Sequence, residues 1–300
     1  MGTSSSYGGP GGGTPLIPTW LGPDGNDPGS FQPVGPPPVA PANPPPNPND
    51  PTSAPLPAPP ARADIPPTAP ADRFKFARSN FTRFASSGGT DRANLGRAVS
   101  RYVSTSAGGA RQAAVRMGAS RTTAAGLLNF LGSVGSGGVR EALRALNLAA
   151  LAGRPIQEVF LGLADYICPD GGTVDEGIAR EAFIETIADL AETGITDLDA
   201  LTLDQTQTIF ELYATNAIVA RLCNDVGTNA IILPNDVQEA NRVQLQLRDF
   251  ISRGVADALA IARTALQTLT PSTVLGFVTR VYEQAFGILQ GLGEAEADRR

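Results

Sequence analysis

The group in this chain best suited to covalent chemistry is the amine behind its first residue. Met1 precedes Gly2, and a small second residue permits removal of the initiator methionine. Removal would expose a glycine amine followed by Thr3 and Ser4. An α-amine has a pKa of about 7.7–8.0, against about 10.4 for lysine, so at neutral pH roughly a tenth of it is unprotonated and nucleophilic. Glycine adds no side chain to obstruct an approaching electrophile. Gly2-Thr3-Ser4 is therefore a competent acceptor for N-terminal conjugation. With Ser6 the same residues match the M-G-x-x-x-S pattern of myristoylation, a short pattern that recurs by chance. Lys75 is the only lysine among the 23 basic residues, so the chain holds just two amines.

Other chemistries are narrowed by composition. There is no histidine, which excludes Ser-His-Asp and Cys-His catalysis and any histidine-ligated zinc or haem. Cys168 and Cys223 are too far apart for a CxxC pair and too few for a disulfide framework. They read as two small hydrophobes of a reducing compartment. The carboxylate pair Asp175 and Glu176 falls in a first helical turn, where acids favour the dipole. Glu181 and Glu185 stand at i,i+4 and read as solvated surface. The glycine pairs at 88–89, 108–109 and 137–138 follow no strand, match no phosphate-binding loop and read as turns between helices. Asp225 is expected to bridge to an arginine at a helix end, with Gly227 suited to the C-cap. Nothing assembles a nucleophile, a base and oxyanion donors, so the chain is expected to be no enzyme, with no metal and no bound cofactor.

The arginines carry a second signal. Residues 1–72 sum to −4, residues 73–154 to +11 and residues 155–300 to −13, giving the net −6. Blocks of such opposite sign attract one another, within the chain or between chains. Arg97, Arg101, Arg111, Arg116 and Arg121 recur along the basic block with Phe74, Phe76, Phe81, Phe84 and Tyr102 between them. They are candidates for contact with an acidic protein partner. A single-stranded phosphate backbone is the alternative, in which the block 73–154 is a nucleic-acid-binding module. Against base readout, the aromatics fall at helix spacing and no helix-turn-helix or zinc-finger pattern accompanies them.

The elements that must position these groups divide at residue 72. The first 72 residues hold 22 of the 26 prolines. Proline fixes φ and removes amide donors, so this stretch reads as a disordered Pro/Gly-rich tail biased to polyproline II. At about 3.1 Å per residue its spacer could reach on the order of 150 Å. Near its head the apolar cluster Pro15-Leu16-Ile17-Pro18-Thr19-Trp20-Leu21 holds the only tryptophan. Leu16, Ile17 and Trp20 are the anchors a partner pocket would recognise; the alternative is that the cluster packs on the chain's own folded part. No secretory signal and no membrane span is legible, so the expected location is the cytoplasm.

From residue 73 onward apolar residues recur at spacings of three and four, as in Phe74, Ala77, Phe81 and Phe84. The expected fold is an all-α domain of nine or ten helices. A basic subdomain, 73–154, would meet an acidic one, 155–300, near the charge reversal. Capping boxes are expected at Thr173–Glu176 and Thr202–Gln205, and an N-cap at Asn235 or Asp236. The last helix should start at Thr270-Pro271 and end near Gly291-Leu292-Gly293, with Glu294–Arg300 frayed.

Several stretches also occur together in a familiar order. They are MGTSSS, PLIPTW, the proline-rich linker, RFKFARSNFTRFASSGG, LGRAVSRYVSTSAGGARQAAVRMGASR, GGTVDEGIAREAF and ARLCNDVGTNA. The chain resembles the QatB family of the Qat anti-phage defence system of bacteria. The resemblance implies a non-enzymatic defence protein that works beside a QatA-like ATPase, a QueC-like QatC enzyme and a TatD-like QatD nuclease. QueC-like enzymes activate the carboxylate of a 7-deazaguanine and pass it to an amine. In defence systems the implied acceptor is a partner's N-terminal glycine. Here that maps onto Gly2, which would carry a covalent 7-deazaguanine adduct, with Thr3 and Ser4 in the enzyme's entrance.

Overall fold

Ten α-helices follow one another from residue 75 to residue 298, and no strand interrupts them among the described residues. The computed structural model describes residues 72–168, 172–227 and 234–299. Gly2, Thr3, Ser4, Leu16, Ile17 and Trp20, with residues 1–71 of the expected tail, lie outside that set.

The first six are α1 (Lys75–Ser86), α2 (Arg92–Arg101), α3 (Ala110–Val115), α4 (Gly118–Gly137), α5 (Val139–Ala145) and α6 (Ile156–Ile167), of which only α4 is long. Four long helices follow: α7 (Val174–Thr193), α8 (Leu203–Val226), α9 (Val237–Leu266) and α10 (Val274–Asp298). Their boundaries follow local chemistry. Thr173 and Thr202 each accept from the backbone N–H three residues on, and Glu176 and Gln205 reach back to close both capping boxes. Asp236 caps α9 through the Glu239 N–H. Glycines at positive φ mark turns where the helical run breaks, as at Gly109 and Gly138. Pro155 sits one residue earlier than a first-turn proline, as the N-cap of α6.

Two departures from the sequence expectation bear on function. The spacing of Leu95, Val99, Tyr102 and Val103 predicts one helix over residues 92–105, but the run after Arg101 is one π turn, Tyr102–Ser106, in which the Ala107 N–H bonds to the Tyr102 carbonyl. The last helix does not stop at Gly291-Leu292-Gly293 but runs on to Asp298. Its glycines are a packing device. A Cβ on Gly96 of α2 would stand 2.6 Å from the Gly293 carbonyl oxygen of α10, and one on Gly293 would stand 2.6 Å from that of Gly96. The two backbones touch, and the burial gained there outweighs glycine's low helix propensity, about 1 kcal/mol below alanine.

The α2–α10 contact is the most extensive in the body, followed by α7 on α8, α10 on α9 and α1 on α2. Helices of the basic segment and of the acidic segment thus share one hydrophobic core, from Ala77 to Leu289. Phe160 stacks on Phe183, and the Phe183 ring meets Tyr213 edge-on. Phe210 of α8 packs against Phe277 of α10.

Candidate functional site

The charged residues of the two segments converge at Asp225, in the last turn of α8. Its Oδ2 accepts from three donors: Tyr102 Oη at 2.9 Å, Arg116 Nη2 at 3.1 Å and Arg221 Nε at 3.2 Å. The Asp225 side chain is 9% exposed and that of Arg221 is 10% exposed. Arg221 also pairs with Asp175 in the first turn of α7. Burial opposes the Arg221 charge, but Asp225 and Asp175 outweigh it and hold its pKa above the ordinary guanidinium value. Burial, followed by the charge and hydrogen bond of Asp225, pushes the Tyr102 phenol far above its usual range, so it stays a neutral donor. Three donors on one oxygen, two of them guanidinium groups, hold the Asp225 carboxylate in place. This cluster is a brace that ties α2, α3, α7 and α8 together.

The brace continues to the point where residue 72 leads into α1. Phe74 stacks on Tyr102, and the Arg116 guanidinium lies over the Phe74 ring, 5.7 Å from its centroid. Arg73 donates to the Ser106 carbonyl, and to that of Ala107 at 3.2 Å. In return the Ser106 hydroxyl donates to the Arg73 carbonyl at 2.9 Å. The π turn makes these bonds possible. Its Tyr102 end faces Asp225, and its Ser106 end holds Arg73.

The same turn lines a cleft of about 740 Å³ between α1, α2 and the end of α10. Phe76 and Asn80 form one wall, Arg97, Ser100 and Arg101 a second, and Glu294, Ala297 and Asp298 a third, with Ser104 and Thr105 of the π turn between. Phe76 is 65% exposed, whereas Ala77, Phe81 and Phe84 of the same helix are buried.

The five candidate arginines are not gathered into one track. Arg97 donates to the Ala297 carbonyl at 3.1 Å and so ties α2 to α10. Arg116 belongs to the Asp225 brace. Arg121 donates to Thr279 at 3.1 Å and to the Val115 carbonyl at 3.4 Å. Arg101 and Arg111 are exposed and make no ion pair or side-chain hydrogen bond among the described residues. The expected arginine bridge to Asp225 is present, from Arg221 one turn earlier. Tyr102 and Asp298 did not stand out in the sequence as site residues. Tyr102 reads as one more apolar position of a helix, and Asp298 as a charge on a fraying end.

Both thiols are pushed up to about 11, Cys168 mainly by burial and Cys223 by burial and then Glu181. Among the described residues no group of histidine, cysteine or carboxylate side chains is arranged to hold a metal ion. No helix among them is long and apolar enough to cross a membrane.

The sequence model of one protein family, described as Qat anti-phage system associated protein QatB, matches residues 108–289, well over half of the chain. No curated protein and no solved structure matches.

Proposed function

The chain belongs to the QatB family of the Qat anti-phage system, and from that premise we propose that it is a non-enzymatic adaptor whose N-terminal tail carries an acceptor glycine to a modifying enzyme. The helical body docks a partner of the system, a QatA-like ATPase. The tail presents Gly2 to a QueC-like enzyme, which joins its amine to the carboxyl carbon of a 7-deazaguanine through an amide bond. Thr3 and Ser4 enter the enzyme behind it, and Leu16, Ile17 and Trp20 are the apolar anchors of the tail. Arg111, exposed and outside the cleft beside the π turn, is the arginine left over for an acidic partner.

One observation carries the reading. The start of the body is fastened, with Arg73 bonded at both ends to the π turn and Phe74 held between Tyr102 and Arg116. A leash is useful only if its fixed end is fixed. The pinning of residues 73–74 gives the preceding residues a firm origin on a body whose buried Arg221 and Asp225 are already paired.

The test is the intact mass of the full chain, and of its N-terminal peptide, after expression with and without a QueC-like enzyme of a Qat system. An adduct on Gly2 that appears only with the enzyme is expected. Gly2→Pro replaces the primary amine by a constrained secondary one and should abolish both the adduct and phage protection. Normal protection by that variant would overturn the proposal.

A further inference from the structure

The cleft beside the π turn contains charges of both signs that the chain itself leaves unanswered. Arg101 has no ion pair or side-chain hydrogen bond among the described residues, and neither has Asp298. Both line the cleft without bridging each other. Two flexible side chains of opposite charge close at short range when the backbone allows it. Here α2 and α10 hold them on different walls. Carboxylates are also disfavoured at the C-terminal end of a helix, where the dipole is negative. At the end of α10 only Glu296 is offset, by Arg92 at 2.8 Å and Arg299 at 3.3 Å. Glu294 accepts from Gln290 at 3.0 Å and from the Ser100 hydroxyl at 3.5 Å, both neutral donors, and has no cationic partner among the described residues.

Two further features mark the cleft. The Phe76 ring is two-thirds exposed at its edge, an apolar surface that nothing among the described residues covers. A π turn, a rare element that recurs at functional sites, brings Ser104 and Thr105 to its floor. The volume lies in the range of small-molecule sites, about 300–1,000 Å³. One wall is braced, because Arg97 bonds across to Ala297 and the glycine crossing stands beside it, at Gly96 on α2 and one turn back at Gly293 on α10.

From these features we propose that the cleft binds a small zwitterion of the aromatic amino-acid type. Its carboxylate meets the Arg101 guanidinium, its ammonium meets Asp298 and Glu294, and its ring lies on Phe76. Two bases and two acids line the cleft, so its formal charge sums to zero, which disfavours a polyanion such as a nucleotide triphosphate. A zwitterion answers both uncommitted charges at once. This inference concerns the body alone and does not depend on modification of Gly2.

The test is calorimetric titration of the full-length chain with phenylalanine, with phenylacetate, which lacks the ammonium, and with phenethylamine, which lacks the carboxylate. Phenylalanine should bind saturably, and each half-ligand about five- to tenfold more weakly. Arg101→Gln should weaken phenylalanine by a similar factor and leave phenethylamine unchanged. Asp298→Asn should do the converse with phenylacetate. Phe76→Ala should weaken all three. All three side chains are on the surface, and unchanged circular dichroism confirms the fold of each variant. The proposal is overturned if no ligand saturates, if phenylalanine binds no better than its halves, or if adenosine binds more tightly and loses its affinity in Phe76→Ala.

Discussion

Adding one methyl group at Gly96 should destabilise the body, against the helix propensity of the substitution. Alanine in the interior of a helix is worth about 1 kcal/mol over glycine. At Gly96 the new Cβ would meet the Gly293 carbonyl oxygen at 2.6 Å, the Glu296 Cβ at 2.9 Å and the Ala297 nitrogen at 3.1 Å. Two of these three are backbone atoms inside α10, so no side-chain rotation relieves them. Ordinary contact begins near 3.4 Å, so α2 and α10 must part by about 0.8 Å. A gap of that size forfeits roughly a quarter to a half of the dispersion energy of the atoms lining it. Overpacking of this kind costs about 1–3 kcal/mol. The contact is the largest in the body, so the upper half of that range applies, and the net loss after the propensity gain is about 1–2 kcal/mol. For a body of this size each kcal/mol moves Tm by roughly 2–4 °C. Thermal unfolding followed by circular dichroism should therefore show Gly96→Ala melting about 2–8 °C below the parent. Gly291→Ala on α10, where nothing lies within 4 Å of the added atom, is the control and should melt at the same temperature or higher. A parent-like or raised Tm for Gly96→Ala would refute the backbone-contact reasoning.

Further outcomes follow from the buried charges and thiols. Asp225→Asn removes the charge that Arg116 and Arg221 share, and should cost about 3–5 kcal/mol in urea unfolding; a loss under 1 kcal/mol would show the brace to be ornamental. Both thiols lie near pKa 11, so at pH 8 they should react with a thiol reagent roughly a hundredfold more slowly than free cysteine. Cys168, the more deeply covered, should be the slower of the two, and prompt labelling of both in the native chain would contradict this. Burial raises the Glu211 pKa, partly opposed by its bond from Ser252. The folded state therefore binds this proton more tightly than the unfolded state, and the group lowers stability once pH exceeds its unfolded pKa. Glu211→Gln should raise Tm at pH 8 and lose that advantage as pH falls toward 4; an equal gain at both pH values would rule out titration as the cause.

What could be read in advance was whatever local chemistry decides. The capping boxes at Thr173 and Thr202 and the cap at Asp236 fall where the residue types demand, because each is settled within four residues of chain. The extra residue that opens the π turn was not legible. Leu95, Val99, Tyr102 and Val103 keep helical spacing, and the side-chain bonds that hold the turn, from Tyr102 to Asp225 and from Ser106 to Arg73, reach residues distant in sequence. The end of α10 was misread for the same reason. Gly293 stops a helix on propensity, and only its partner Gly96, far away in sequence, turns it into a contact. Of the site, the charge imbalance between segments was plain, and so was a bridge from Asp225 to an arginine at a helix end, though not which arginine. Which arginines would be consumed internally was not, because it depends on which helix ends meet.

The bonds at Arg73 also settle how the body would bear a pull. Tension applied to the chain ahead of residue 72 reaches α1 only after passing Arg73, whose side chain and carbonyl are bonded to Ser106 and Ala107, more than thirty residues downstream. Those bonds load together, so α1 is not peeled from its first turn one hydrogen bond at a time. The load passes into the π turn, and from its Tyr102 end into α8 through Asp225. A pull on the chain ahead of residue 72 is thus spread over helices from both halves of the sequence, and the first event on overload should be release of the Arg73 latch, not the unwinding of a helix.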